Sequence, residues 1–307
     1  MDTLLPGAES HAGSCDETLK VLQGGDDRYV IEEEIARGGQ AVILRAYDRR
    51  LCRVVALKQL RVQNGTTKAR FINEAMITAR LAHPSIVPVH DVNMWADGTP
   101  YFAMKLIVGE TLEARLQSLS GDPLARRRLV SVVVDVVAAI AYAHRERVVH
   151  RDLKPSNVLL SEFGQTVVID WGIAETLVEK QVSKPPLTVA ANQRRVFGTP
   201  GFMAPEQAAG RDVDERTDVY SLGVILYLVI IGRSPFGNRS ARDFVERVGH
   251  GASPAPLHLV APDIDPMLAS IVDRALENDP SVRFANGSEM LAALSAVLPL
   301  PTLRQSA

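Results

Sequence analysis

The residues that could do chemistry are most densely placed in His150-Arg151-Asp152-Leu153-Lys154-Pro155-Ser156-Asn157. Alone, an aspartate followed five residues later by an asparagine could be a polar surface loop. Eighteen residues after Asp152, however, comes Asp170-Trp171-Gly172, behind the strand-like Thr166-Val167-Val168-Ile169. A carboxylate at the end of a buried strand is held rigidly, and the following glycine frees the turn, which suits metal binding. Phosphoryl transfer uses such a set: one carboxylate to receive a hydroxyl proton, and a carboxylate with a carboxamide to hold Mg²⁺ against phosphates.

These side chains need a scaffold. The runs 29–35, 41–47 and 52–60 are short and rich in β-branched residues, with Gly38-Gly39 and Asp48-Arg49-Arg50 as turns, so they predict an antiparallel meander. Phe71, Ala75, Thr78 and Leu81 repeat at helical spacing, and Pro84 ends that helix. Two more strands are expected at 87–93 and 101–105, around Asp97-Gly98. After Gly109 the texture turns helical, with apolar helices expected at 129–143, 219–231, 267–276 and 288–298. A small β-rich lobe followed by a large helical lobe is an α+β architecture. Residues 1–28 read as a flexible acidic leader and 180–195 as a polar, Pro-containing loop.

Bulk properties exclude several classes. With 34 Lys and Arg against 36 Asp and Glu, the chain is not basic enough to suggest a nucleic-acid partner. Cys15 and Cys52 form no metal-like or redox-like pair and fit a reducing compartment. The first residues lack the apolar core of a signal peptide. The longest apolar stretch, 219–231, falls short of the roughly 20 residues of a membrane span and reads as a buried helix. A cytoplasmic location without a membrane segment is the expectation.

Taken in order, these motifs resemble the bacterial, eukaryotic-like members of the Ser/Thr protein kinase family, over roughly residues 29–298. The resemblance implies a two-lobed fold, with an N-lobe over 29–104, a hinge over 105–108, a C-lobe over 109–298 and a tail over 299–307. It implies transfer of the ATP γ-phosphate to protein Ser or Thr hydroxyls, including autophosphorylation, with Mg²⁺ and with Mn²⁺ as a substitute ion. Asp152 matches the catalytic base, and Lys154 the lysine that contacts the γ-phosphate and is usual in Ser/Thr rather than Tyr kinases. Asn157 and Asp170 match the metal ligands. Lys58, in Val55-Ala56-Leu57-Lys58, matches the ATP lysine, and Glu74 its partner glutamate; each alone would read as an ordinary solvated or helix-surface residue.

Other positions carry over one by one. Met104 aligns with the residue behind the adenine, and Lys105 to Ile107 with the hinge that bonds it, while Ala56 and Leu159 would sandwich the ring; apolar residues at such places are core by default. Thr199, in Gly198-Thr199-Pro200-Gly201, resembles the threonine that touches Asp152 and Lys154. Glu206 would pair with Arg283. Asp218 resembles the buried aspartate under the catalytic loop, and a helix N-cap is the plainer reading, compatible with that role. Arg151 precedes the base, so a phosphate on Ser183 or Thr188 could order the loop, and Arg194-Arg195 reads as a solvated face. A homodimer through the small lobe is known in the family.

Two departures stand out. The glycine-rich pattern falls on Ala36, Gly38, Ala41 and Ile43, with Gly39 added beside the surviving middle glycine. The added methyl groups restrict φ and keep backbone from approaching phosphates as closely, yet alanine is the smallest change and backbone N–H groups remain, so tolerance is expected. Trp171 replaces the usual Phe and reads as core, with Thr78 as an expected small neighbour. The altered loop supports a rival, a pseudokinase that binds or scaffolds; against it, none of the charged catalytic residues is missing. A small-molecule phosphotransferase is disfavoured by the peptide-surface motif 198–206.

Overall fold

The computed structural model describes residues 28–62, 65–176, 198–237 and 240–298. The leader with Cys15, the loop 180–195 with Ser183, Thr188, Arg194 and Arg195, and the tail from 299 lie outside them. The chain divides into two compact units, Met1–Ile72 with Val89–Leu106, and Asn73–Pro88 with Ile107–Ala307.

The first unit is an antiparallel sheet of β1 (Tyr29–Arg37), β2 (Ala41–Asp48), β3 (Arg53–Leu60), β4 (Val89–Met94) and β5 (Pro100–Lys105), in the order β1-β2-β3-β5-β4. The expected strands are present with their ends displaced by one or two residues; Cys52 belongs to the turn before β3, at φ 48°. Alternation assigns the two faces. Ala46, Val55, Leu57 and Ala103 bury one face together with Tyr29 and Tyr101. In register, Ile43 pairs with Lys58, Ala56 with Met104 and Lys58 with Phe102, so these residues share the opposite face. Phe71, on helix α1 (Gly65–Arg80), packs on Phe102 with ring centroids 5.2 Å apart. At the far end, Arg28 bonds both oxygens of Asp48 at 3.0 Å and Asp91 at 2.7 Å. Burial alone would push the Asp48 carboxyl up; the Arg28 guanidinium outweighs it and holds the group low.

The second unit is mainly helical. Its core joins Ile77, Leu81 and Ile86 to α4 (Val130–Arg145), α6 (Glu215–Ile231), α9 (Pro266–Ala275) and α10 (Gly287–Val297). Shorter helices that the apolar period did not announce are α2 (Leu112–Ser118), α3 (Pro123–Arg127), α5 (Pro205–Ala208), α7 (Ala241–Gly249) and α8 (Leu257–Val260). Helix α6 is buried nearly all round, as its apolar run predicts, but it begins four residues before Val219. Its cap is Asp214, which accepts from the Arg216 N–H. The N-cap reading for Asp218 is therefore corrected: Asp218 lies within the first turn.

Helix α6 ends at Gly232, at φ +83°. The Arg126 guanidinium fills the space beside it, donating to the carbonyls of Val229 at 3.1 Å and Ile230 at 3.3 Å. A cation at a helix C-terminus meets the orphan carbonyls and the negative end of the dipole. Glycine is required a second time at Gly287, where a Cβ would stand 2.8 Å from the Ala141 nitrogen, so α10 starts directly on the α4 backbone. Glu206 and Arg283 form a buried two-point pair, both bonds 2.8 Å. Among the described residues no helix is long and apolar enough to cross a membrane.

Candidate active site

In the second unit a three-stranded ribbon, β6 (Gly109–Thr111), β8 (Val158–Ser161) and β9 (Thr166–Val168), sets the metal-ligand candidates side by side. Val158 pairs with Val168, and the Ile169 N–H donates to the Asn157 carbonyl at 2.9 Å, so Asn157 and Asp170 leave adjacent strand ends together. Leu159 lies in the middle of the ribbon, between Thr111 and Val167. The Asn157 Nδ2 donates to the Asp152 carbonyl at 2.9 Å, which fixes the carboxamide orientation and turns Oδ1 away from that bond. Asp170 has φ +65°, a left-handed conformation costing of order 1–3 kcal/mol in a non-glycine residue and concentrated at functional sites. Its Oδ1 and the Glu74 Oε2 both approach Gly172, at 3.3 and 3.2 Å from where a Cβ would stand. Hard oxygen donors from a carboxamide and a carboxylate, with a second carboxylate nearby, fit a small divalent cation.

The loop from β7 (Val148–Val149) to the 3₁₀ turn Pro155–Asn157 carries Asp152. The Lys154 Nζ donates to Asp152 Oδ2 at 2.9 Å and to Thr199 Oγ1 at 2.7 Å. Thr199 Oγ1 in turn donates to Asp152 Oδ1 at 2.7 Å. One hydroxyl, one ammonium and one carboxylate thus close a triangle, partly open to solvent at both Asp152 and Lys154.

Beneath the triangle, buried groups hold the backbone. Asp218 is fully buried and accepts from the His150 N–H at 2.8 Å, the Arg151 N–H at 2.8 Å and His144 Nε2 at 2.9 Å. Burial alone would raise its carboxyl; the bonds from His144 and the His150 backbone outweigh that and hold it below the usual carboxylate range. His144 Nδ1 accepts from the Gly287 N–H at 3.0 Å, which leaves Nε2 as the donor to Asp218. Trp171 is core, 1% exposed, with the His150 ring 4.6 Å from its own.

The first unit holds the remaining candidates. Lys58 shares the face opposite Val55 and Leu57 with Ile43, Ala56 and Met104, its Nζ 5.8 Å over the Phe102 ring. Ala56 is buried, Met104 half-buried and Lys105 exposed at the end of β5; Ile107, in the second unit, is half-buried. Ala36 pairs with Ile43, and Ala41 with Leu60. Gly38 donates its N–H to the Ala41 carbonyl at 2.9 Å and closes the hairpin. Neither Gly38 nor Gly39 has positive φ, and a Cβ on Gly39 would touch nothing within 4 Å. The hairpin itself therefore does not demand glycine; open backbone there suits a group arriving from outside.

His144 and Gln207 are buried polar residues that the motifs did not single out. For His144 the available signal was a histidine on a mostly apolar helix, Val130–Arg145.

Residues 29–293 match the family described as "Protein kinase domain". The chain is 36% identical to the probable serine/threonine-protein kinase SCO3848 of Streptomyces coelicolor, over 88% of this chain and 40% of that protein. It is 37% identical to the serine/threonine-protein kinase pkn3 of Myxococcus xanthus, over 88% and 50%. With the serine/threonine-protein kinase PknA of Mycobacterium tuberculosis it shares 35% identity over 88% and 61%. The chain spans about half the length of these curated relatives. With the motifs in order and the catalytic-loop geometry in place, the chain belongs to the protein kinase family.

Proposed function

We propose that the chain transfers the terminal phosphoryl group of ATP to Ser and Thr hydroxyls of proteins, itself included. The observation that carries this is the Asp152–Lys154–Thr199 triangle, closed by bonds of 2.7–2.9 Å. Asp152 presents oxygens aligned for hydroxyl donors, as Thr199 demonstrates, so it orients an acceptor hydroxyl and takes its proton. Lys154 keeps a positive charge beside that carboxylate, where negative charge develops in transfer. Thr199 ties the acceptor-binding segment to the base and favours a hydroxyl acceptor of its own kind. Asn157 and Asp170 would hold the divalent ion; Mg²⁺, a hard cation content with one or two protein oxygens, fits them best. When bound, ATP and the ion supply the phosphoryl group and the charge neutralisation. Lys58 and the Gly38-Gly39 backbone would meet phosphate oxygens, and Ala56 and Met104, on the same face of the sheet as Lys58, the base.

The test is purified protein with labelled ATP, Mg²⁺ and a generic protein acceptor, followed by phosphoamino-acid analysis. Label on Ser and Thr is expected, falling roughly 10²–10⁴-fold in Asp152→Asn. Absence of transfer to any acceptor, this chain included, would refute the assignment.

A further inference from the structure

The peptide plane between Arg151 and Asp152 sets the direction in which the Asp152 side chain leaves the backbone. Its N–H end donates to His150 Nδ1 at 3.3 Å. Its carbonyl end, the Arg151 oxygen, accepts from Gln207 Nε2 at 2.7 Å. Gln207 is 5% exposed and projects from α5, outside the catalytic loop. The two preceding N–H groups, of His150 and Arg151, are held by Asp218. Arg151 itself sits at φ +68°, so the plane has been turned out of its ordinary orientation and needs anchors.

The same amide touches the acceptor-side segment. A Cβ on Gly198, at φ +118°, would stand 2.7 Å from Gln207 Nε2 and 3.2 Å from the Arg151 oxygen. Only a residue without a side chain leaves room for this bond, and the next residue is Thr199, whose hydroxyl rests on Asp152. Gln207 therefore lies where the catalytic loop and the Thr199 segment meet.

From this we infer that Gln207 is a positioning residue for the transfer reaction: by holding the Arg151 carbonyl beside Gly198 it aims the Asp152 carboxylate and keeps Thr199 in register with it. The inference rests on the kinase reading. Gln207→Met keeps the side-chain length and removes the donor, and Gln207→Glu keeps the shape while facing the carbonyl with oxygen. Misplacement of a reacting group by about 1 Å costs on the order of 10²-fold, so kcat is expected to fall roughly 10–100-fold in both variants. The KM for ATP should stay within about twofold of wild type, because ground-state nucleotide binding does not involve this plane. Thermal midpoints are followed in parallel. A folded variant of either kind that keeps wild-type kcat overturns the inference. So does loss of fold in both, which would make Gln207 a packing residue. Wild-type transfer in the same assay separates this failure from failure of the kinase reading, and its absence overturns both.

Discussion

Asp218→Asn tests how the catalytic loop is held. The native carboxylate receives three N–H bonds, from Arg151 on Oδ1 and from His150 and His144 on Oδ2. A carboxamide must turn its NH₂ toward one side. The less costly orientation faces Arg151, leaving one buried donor without an acceptor, about 1–3 kcal/mol, while the other two bonds lose charge assistance, roughly 1 kcal/mol each. The sum is roughly 3–5 kcal/mol, a large share of a typical 5–15 kcal/mol stability. For a unit of about 200 residues this lowers Tm by roughly 6–20 °C. Calorimetry measures it, alongside kcat, which should fall with the loop. The pH dependence adds a second reading. Because the native carboxyl lies below its usual value of 3.8, its contribution is present above that pH and lost as acid passes through the native value. The variant should lack that acid limb. A Tm loss below about 2 °C with the acid limb intact would refute the three-bond account.

Three further outcomes are expected. Arg283→Met removes the buried partner of Glu206 and should cost about 3–5 kcal/mol in urea unfolding, because one charge remains buried without its counterion. Gly232→Ala puts a methyl group 2.7 Å from the Arg126 Cζ at positive φ, and should lower stability by about 1–3 kcal/mol, read as a Tm shift. Ala36→Gly and Ala41→Gly should lower the KM for ATP by less than about tenfold without changing kcat, since alanine restricts only the closest backbone approach.

Legibility followed the kind of physics each feature obeys. The strands were readable as short β-branched runs between turns, as in β3, and the long helices because their burial repeats with the helical period, as in Val130–Arg145. The start of α6 was placed late because its first turn, Glu215 to Asp218, is polar although Thr217 and Asp218 are buried; the cap Asp214 was the overlooked signal. Helix α7 carries only a weak sequence signal, the cap Ser240 with Phe244 and Val248 one turn apart on its inner side. Asp152, Lys154, Asn157 and Asp170 announced themselves by side-chain chemistry at fixed spacing. Gln207 could not, since its partner is a backbone carbonyl 56 residues away, and backbone atoms leave no mark in composition.

The pleat of β3, which sends successive side chains to opposite faces, has a mechanical corollary. Leu57 faces the apolar side and Lys58 the other, so deleting one residue inside the strand would drive an ammonium group into hydrocarbon and expel a leucine. The turn Arg49 to Cys52 is mostly exposed and lies at the end of the ladder where Arg28 fastens Asp48 and Asp91; since the Arg50 N–H donates to Asp48, the turn can absorb insertions after Arg50 without disturbing the ladder. Length variation is thus permitted at the rim of the sheet and forbidden a few residues further on.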